Sequence, residues 1–411
     1  MSQADLQGCG AERAGDPAFE ADRGVLGRPG AASGAVAEAQ AAAAALEETY
    51  HGMRLPLAER VRPGAPLCQR CEVLPEPLRG PGTLHLRLAH THSLGKVLGL
   101  LARSSWPWRD QGGTVSVEVP PGSLAPLLSP LERLLSGPER RDLRVLFQPG
   151  DRAAADPFDT SSFGAFVARE RSTWLLELLR GGGLFSVFQP ILRLSGDSPE
   201  VYGHECLLRA TVDGRPVLPD TMFEMARAAD LLFQLDLYAR RTALLAAARH
   251  GLRGKVFVNF SPDAIYEPRS CLHNTVRLVD ELGLAREQVV FEITESERLP
   301  EAALLGDIAR YYRDHGFGIA LDDVGAGYSS LSALLALRPE YVKLDRSLVQ
   351  GVHERPEQAL VAGKLLEAAQ GLGLAVVAEG IEGEGELDWV RARGVEFVQG
   401  YLFGRPATPP P

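Results

Sequence analysis

Eight residues able to ligate a cation, hold a phosphate or move a proton fall at the carboxyl ends of short β-rich runs in the C-terminal half of this 411-residue chain. Glu205, Asn259, Glu292, Asp322, Lys343, Glu379 and Gln399 each close one run, and Asp323 follows Asp322 directly. Any one of them alone reads as a solvated loop charge. The seven that close runs share strand parity with core-filling neighbours, so together they must converge on one axis. A charge isolated there would be expensive to desolvate unless it were paired or bound to metal. Four carboxylates and one lysine do not neutralise one another. A divalent cation resolves the excess, and oxygen-rich ligands of this kind suit Mg²⁺ or Mn²⁺ better than Zn²⁺. Asp323 adds a fifth carboxylate: the first Asp of such a pair can bridge two metals while the second holds one. Two metals suit in-line attack on a phosphodiester, because they activate water and neutralise charge developing on the phosphorus oxygens.

Eight runs supply these residues: Phe185–Leu192, Val201–Leu208, Lys255–Phe260, Val289–Ile293, Gly318–Asp322, Tyr341–Leu344, Ala375–Ala378 and Glu396–Gly400. Each is joined to the next by a turn and a segment of helical period. Alternating strands and helices over a little more than 200 residues predict an α/β fold with a parallel (β/α)₈ barrel of the TIM type over 181–406, with its active residues at the carboxyl ends of the strands.

A smaller α/β domain is expected over 67–150. Leu84, Leu86 and Leu88 alternate, Leu94, Val97, Leu98 and Leu101 recur at helical spacing, and Val115, Val117 and Val119 alternate again. Leu124 to Leu135 then reads as a helix and Leu143 to Phe147 as a third strand, giving β-α-β-α-β with a regulatory role inferred from position alone. Residues 151–180 read as a linker and a connecting helix, Phe166 to Leu179, stopped by Gly181–Gly183. Residues 1–66, rich in Gly, Ala and Pro, read as disordered apart from a short helix at Ala41–Ala45. Met53 is an alternative start.

Apolar residues make up 45% and charged residues 23%, the balance of a soluble globular protein. No stretch approaches a membrane span and no secretory signal is readable, so a cytoplasmic location is expected. Five thinly spread cysteines fit reduced thiols. The formal charge of −10 argues against binding a nucleic-acid polymer through a basic surface, so a phosphate ligand must be held by metal or local cations.

The residues around the eight also form an ordered series: Phe188-Gln189-Pro190-Ile191, Glu205-Cys206-Leu207-Leu208-Arg209, Val258-Asn259-Phe260-Ser261-Pro262, Phe291-Glu292-Ile293-Thr294-Glu295, Asp322 through Ser330, Lys343-Leu344-Asp345, Ala378-Glu379-Gly380-Ile381-Glu382 and Gln399-Gly400-Tyr401. Over about 180–406 this series resembles the EAL-domain cyclic di-GMP phosphodiesterases. The resemblance implies hydrolysis of cyclic di-GMP to linear pGpG, two Mg²⁺ or Mn²⁺ ions per active site, and a homodimer formed through this domain. It implies Glu205, Asn259, Glu292 and Asp322 as ligands of one metal, and Asp322 with Asp323 for the second. Lys343 then matches the residue that orients the attacking water, and Glu379 and Gln399 match positions near metal, water and substrate. Gln189 and Arg209 match substrate contacts. Glu295 matches the anchor of the loop from Asp323 to Ser330, a loop linked in this family to dimerisation and metal binding. Two positions depart from the pattern. Cys206 stands for the alanine of the namesake tripeptide, and its parity sends it outward to pack as a small apolar group. Val324 stands for a phenylalanine and removes packing volume from the loop.

The rival function is a receptor that binds the nucleotide without cleaving it, but such degenerate domains lack metal or water-positioning residues that are all filled here. A sugar-phosphate barrel enzyme would need a phosphate-binding glycine loop, for which Gly380 and Gly400 are weak support. Gly325–Gly327 lacks the third glycine of a dinucleotide loop and reads instead as a loop into a helix capped by Ser329 or Ser330. Cys68, Cys71, His85 and His90 match a zinc template on spacing, but without the finger helix they read as two reduced thiols near a domain edge. His204 is expected on the outer face as a packed residue, and Trp106 and Trp108 as core anchors.

Overall fold

The alternation of Leu84 and Leu86 with His85 and Arg87 makes a strand with one apolar face, and the same period in Val115, Val117, Val145 and Phe147 gives it antiparallel partners. The computed structural model describes residues 73–78, 81–150, 160–195, 198–294, 302–326 and 330–410. The readings made for 1–66, Cys68 and Cys71 lie outside them.

In the smaller unit the elements run β1 (Gly82–Arg87), α1 (Thr91–Leu101), β2 (Trp108–Gln111), β3 (Thr114–Val119), α2 (Leu124–Leu134), α3 (Gly137–Asp142), β4 (Arg144–Pro149) and β5 (Ser161–Ser162). The sheet order is β2-β3-β1-β4-β5, antiparallel throughout. The reading β-α-β-α-β missed β2. It forms a hairpin with β3 across Gly112 and Gly113, both at positive φ, the backbone that a tight two-residue hairpin turn demands. Trp106 packs partly against this core, whereas Trp108 is exposed. His85 sits on the polar sheet face and hydrogen-bonds Ser116 Oγ at 2.9 Å.

The connecting helix is two helices, α4 (Phe163–Arg171) and α5 (Thr173–Gly181), broken at Ser172. Phe163, Phe166 and Val167 of α4 complete the small core, so that core extends past residue 150. Gly182, at φ 68°, stops α5 in the left-handed region.

The larger unit is an eight-stranded closed barrel: β6 (Leu184–Arg193), β7 (Glu200–Val212), β9 (Lys255–Asn259), β10 (Val289–Thr294), β11 (Gly318–Val324), β12 (Tyr341–Leu344), β13 (Ala375–Ala378) and β14 (Phe397–Val398). A short β8 (Arg215–Val217) extends β7 at its outer end. Helices surround it: α6 (Pro219–Ala228), α7 (Leu232–Arg249), α8 (Pro268–Cys271), α9 (His273–Glu281), α10 (Ala302–Asp314), α11 (Ser330–Leu337), α12 (Arg346–Val349), α13 (Pro356–Gly371) and α14 (Glu384–Arg391). The barrel is mixed, not wholly parallel, because β6 runs antiparallel to both β7 and β14. The physical reason is distance along the chain: only six residues separate β6 from β7, whereas a parallel crossover needs a dozen or more. The same hairpin carries β7 on to Val212, so Glu205 lies within its strand and not at its end.

One buried acid stands out in the small unit. Glu139 accepts from Ser93 Oγ at 2.8 Å, Lys96 Nζ at 2.9 Å, and both the amide and hydroxyl of Ser136, which joins α1 to the N-terminus of α3. The Ser136 amide, Lys96 and the two hydroxyls hold its carboxyl far below the usual carboxylate range. A group whose folded pKa is depressed stabilises the fold above its unfolded pKa, near ~4.3, and that contribution disappears as pH falls. Glu139→Gln is therefore expected to lower the melting temperature at pH 7, with the gap closing toward pH 3. A gap that is constant across that range, measured by circular dichroism, would contradict the assignment.

Candidate active site

Period two along each barrel strand stacks a polar layer on an apolar one. Phe257, Val290, Ala320, Tyr341, Val377 and Phe397 form an interior apolar cluster with Ile191. Two residues on lie Asn259, Glu292, Asp322, Lys343, Glu379 and Gln399. Gln189 precedes Ile191 by two, and the reversed direction of β6 brings it to the same level, in register with Glu205. Of the eleven residues singled out from sequence, ten line this end of the barrel; Glu295 lies outside the described residues.

Lys343 occupies the axis. Its buried Nζ lies 3.1 Å from Glu205, 3.0 Å from Glu292, 3.1 Å from Asp322 and 2.8 Å from Glu379. Burial alone would push the ammonium pKa down, but these carboxylates hold it well above its ordinary value. Around it, Glu205 accepts from Asn259 Nδ2 at 3.1 Å and from Gln399 Nε2 at 2.7 Å, and Gln399 also donates to Gln189 Oε1 at 3.1 Å. Burial would raise Glu205, yet Lys343 and those two amides keep it below the usual range. Burial and the neighbouring carboxylates push Glu292 and Glu379 well up. Asp323 rises to about 7 through burial and the charge of Asp322.

Strand alternation should point adjacent aspartates to opposite faces. Here the pairing of β11 with β12 shifts register between Leu321 and Val324, and Asp323 takes φ 55°. That bulge turns Asp322 and Asp323 toward one cavity. Asp is among the few residues that tolerate this left-handed backbone, and the Asp323 amide donates to Asp322 Oδ1 at 2.9 Å. Val324 is buried in the barrel's outer core, as is Cys206, whose thiol burial pushes up. His204 is likewise buried, edge-on to Phe188 at 6.5 Å between centroids.

The donor set fits divalent metal. Ligand atoms of Glu205, Glu292 and Asp322 lie within 4.8 Å of one another, and so do those of Asp322, Asp323 and Glu379. Asp322 is common to both triads. Glu292 is fully buried, and among the described residues no donor reaches its Oε2. A carboxylate oxygen left so is costly unless a cation meets it.

Two cavities open onto these groups. One, of about 610 Å³, is lined by Glu205, Arg209, Asn259, Asp322 and Asp323, with Asp220, Phe223, Glu224 and Arg227 of α6 as its far wall. The other, of about 200 Å³, adds Gln189, Lys343, Glu379, Gln399, Arg346 and Tyr401. Sequence reading missed the α6 wall and Arg346. Asp220, Glu224 and Arg227 recur at helical spacing just behind Pro219, a helix-start signal that was legible. Arg346 follows Asp345, whose Oδ1 caps α12 by accepting from the Ser347 amide. The turn behind Glu379 requires Gly380: its φ is +71°, and a Cβ there would meet Arg346 Cβ at 2.5 Å.

The EAL domain family model matches residues 172–406, over half the chain. This chain belongs to the EAL domain family. A relative, Pseudomonas aeruginosa RocR, named a cyclic di-GMP phosphodiesterase, is 32% identical over 234 residues, 56% of this chain and 58% of that protein. NbdA of the same organism, also named a cyclic di-GMP phosphodiesterase, is 32% identical over 238 residues, 56% of this chain and 30% of its own length. The chain thus spans under two thirds of either relative. The solved EAL domain of FimX from Pseudomonas aeruginosa, bound to c-di-GMP, superposes with a TM-score of 0.52 at 22% identity, covering 59% of this chain and 96% of that one, a likeness of fold. Among the described residues no helix is long and apolar enough to cross a membrane.

The Lys343 cluster makes a stability prediction for the metal-free EAL domain. Glu292 and Glu379 have folded pKa values above their unfolded ones, so their ionised forms oppose folding and stability falls as pH rises. Lys343→Met removes the cation that limits this. It should destabilise the metal-free protein by roughly 3–5 kcal/mol at pH 8, the scale for breaking a buried ion pair, and much less at pH 5. Denaturation curves showing equal losses at both pH values would rule this out.

Proposed function

We propose that this EAL domain hydrolyses one phosphodiester of cyclic di-GMP to give linear pGpG, using two divalent cations, Mg²⁺ or Mn²⁺. The observation that carries the reading is the pair of acidic triads sharing Asp322 beside Lys343. Relatives named as cyclic di-GMP phosphodiesterases support that substrate. Glu205, Asn259, Glu292 and Asp322 would hold one cation, and Asp322 with Asp323 the other. When bound, the cations neutralise the phosphodiester and make water acidic enough to attack at neutral pH.

The protein's own groups do the rest. Lys343 Nζ, held by carboxylates on several sides, orients the attacking water and stabilises it as it loses its proton. In this reading Glu379, 2.8 Å from Lys343, fixes that ammonium and accepts from the water. Arg209 in the larger cavity, and Gln189 with Gln399 in the smaller, bind the substrate around the scissile bond. Holding the phosphodiester in line with the water is itself a large part of the rate. Lowering of cyclic di-GMP in a bacterial cytoplasm by an EAL homodimer completes the proposal.

Two measurements test it. Mg²⁺ or Mn²⁺ should support release of pGpG from cyclic di-GMP while Ca²⁺ does not, since Ca²⁺ prefers more ligands at longer distances. Equal turnover with Ca²⁺ would argue against the proposed geometry, and metal-dependent binding with no product would favour a receptor. Glu205→Ala should lose at least about a thousandfold in kcat, the loss of both a metal ligand and a Lys343 partner, while circular dichroism stays that of the parent.

A further inference from the structure

A buried ion pair behind β9 has no place in the chemistry above, and its position is specific. Asp236 and Arg240, one turn apart on α7, are 1% and 2% exposed. Arg240 donates to Asp236 Oδ2 through Nε at 3.0 Å and Nη2 at 2.8 Å, and to Thr275 Oγ1 through Nη1. Asp236 Oδ1 accepts the backbone amide of Ser261 at 2.7 Å. Ser261 is two residues beyond Asn259, where the chain leaves the barrel. Phe260 still donates its amide to Glu292 O, on the β10 side. Alternation turns the Ser261 amide the other way, and the β7 ladder with β9 ends at Cys206↔Val258. A buried amide without an acceptor is costly, and Asp236 supplies one.

A buried ion pair is a poor means of gaining stability, because apolar residues of the same volume do as well or better. It is a good means of fixing an oxygen in space, since Arg240 holds Asp236 through two donors and is itself held by Thr275. We propose that Asp236 is a positioning residue that, locked by Arg240, fixes the backbone beyond β9 and so aims the Asn259 amide oxygen at the cation. This rests on the reading of Asn259 as a metal ligand. Asn259 Nδ2 donates to Glu205 at 3.1 Å, which leaves its oxygen as the ligand atom, and the direction of that short side chain follows the backbone. Partners of this kind, one step removed from a metal, typically set its affinity by about 10- to 100-fold.

Calorimetric titration of the full chain with Mn²⁺, without substrate, separates the possibilities. Asp236→Asn/Arg240→Met keeps an oxygen acceptor for Ser261 but takes away the Arg240 lock; its Mn²⁺ affinity is expected to fall by about three- to tenfold, between the parent and the variant without an acceptor. Asp236→Leu/Arg240→Met also removes the acceptor without leaving a lone buried charge; Mn²⁺ affinity is expected to fall at least about tenfold. Should that variant not fold, Asp236→Glu displaces the acceptor by one methylene and carries the same expected loss of affinity. Asn259→Ala is the reference for losing the ligand itself. If it weakens Mn²⁺ binding while the variants with displaced or missing acceptor bind like the parent, the positioning role is wrong and the ligand reading stands. If Asn259→Ala binds like the parent, the ligand reading fails and the inference falls with it.

Discussion

A lysine ammonium within 3.1 Å of four carboxylates, on the axis of a barrel, is the constraint around which the rest of this fold is arranged. Burying either sign of charge alone would cost several kcal/mol. Burying both at once requires that each group be delivered to within a fraction of an ångström by a rigid element. A closed barrel does so, because every strand presents an inward residue at a height set by period two, and closure removes the edges along which strands could slip. The apolar layer from Ile191 to Phe397 supports the polar layer from below.

Five acids and one lysine leave an excess of negative charge that the protein alone answers by raising the proton affinity of Glu292, Glu379 and Asp323. A divalent cation reverses that response, since a local double charge favours ionised ligands. Under the proposed function, metal binding would be coupled to ligand ionisation and to the left-handed backbone at Asp323. The bulge in β11 stores its strain where it brings a second carboxylate onto the face of the first.

Much of this was legible in the residues, for reasons that also explain the gaps. Period two marks strand faces, so the inward placement of Asn259, Glu292, Asp322 and Lys343 followed from counting. Counting could not show the bulge, since alternation alone would turn Asp323 outward; the expectation of Asp323 at a metal rested on the chemistry of an Asp-Asp pair and on the resemblance. Strand direction was available in principle: six residues between β6 and β7 cannot cross a barrel. The Gly112–Gly113 hairpin was also written plainly. What had no signal was tertiary placement, such as α6 walling the larger cavity, α4 joining the small core, or Asp236 standing behind Asn259. Such placements depend on which helix packs over which strand end, which a local pattern does not encode.

The small unit touches the barrel through α4 and α6, and Leu74 packs against the apolar cluster that contains Leu175 and Met222. Because α6 also walls the larger cavity, the two units share an element at the site. The central claim is nevertheless chemical: Lys343 acts on the attacking water and does not merely hold the substrate. Steady-state kinetics and calorimetric cyclic di-GMP binding on one preparation of Lys343→Ala, with metal supplied, test it most directly. A fall in kcat of at least about a hundredfold with affinity little changed is the predicted result; collapsed affinity with kcat near that of the parent would make Lys343 a substrate clamp and contradict the account.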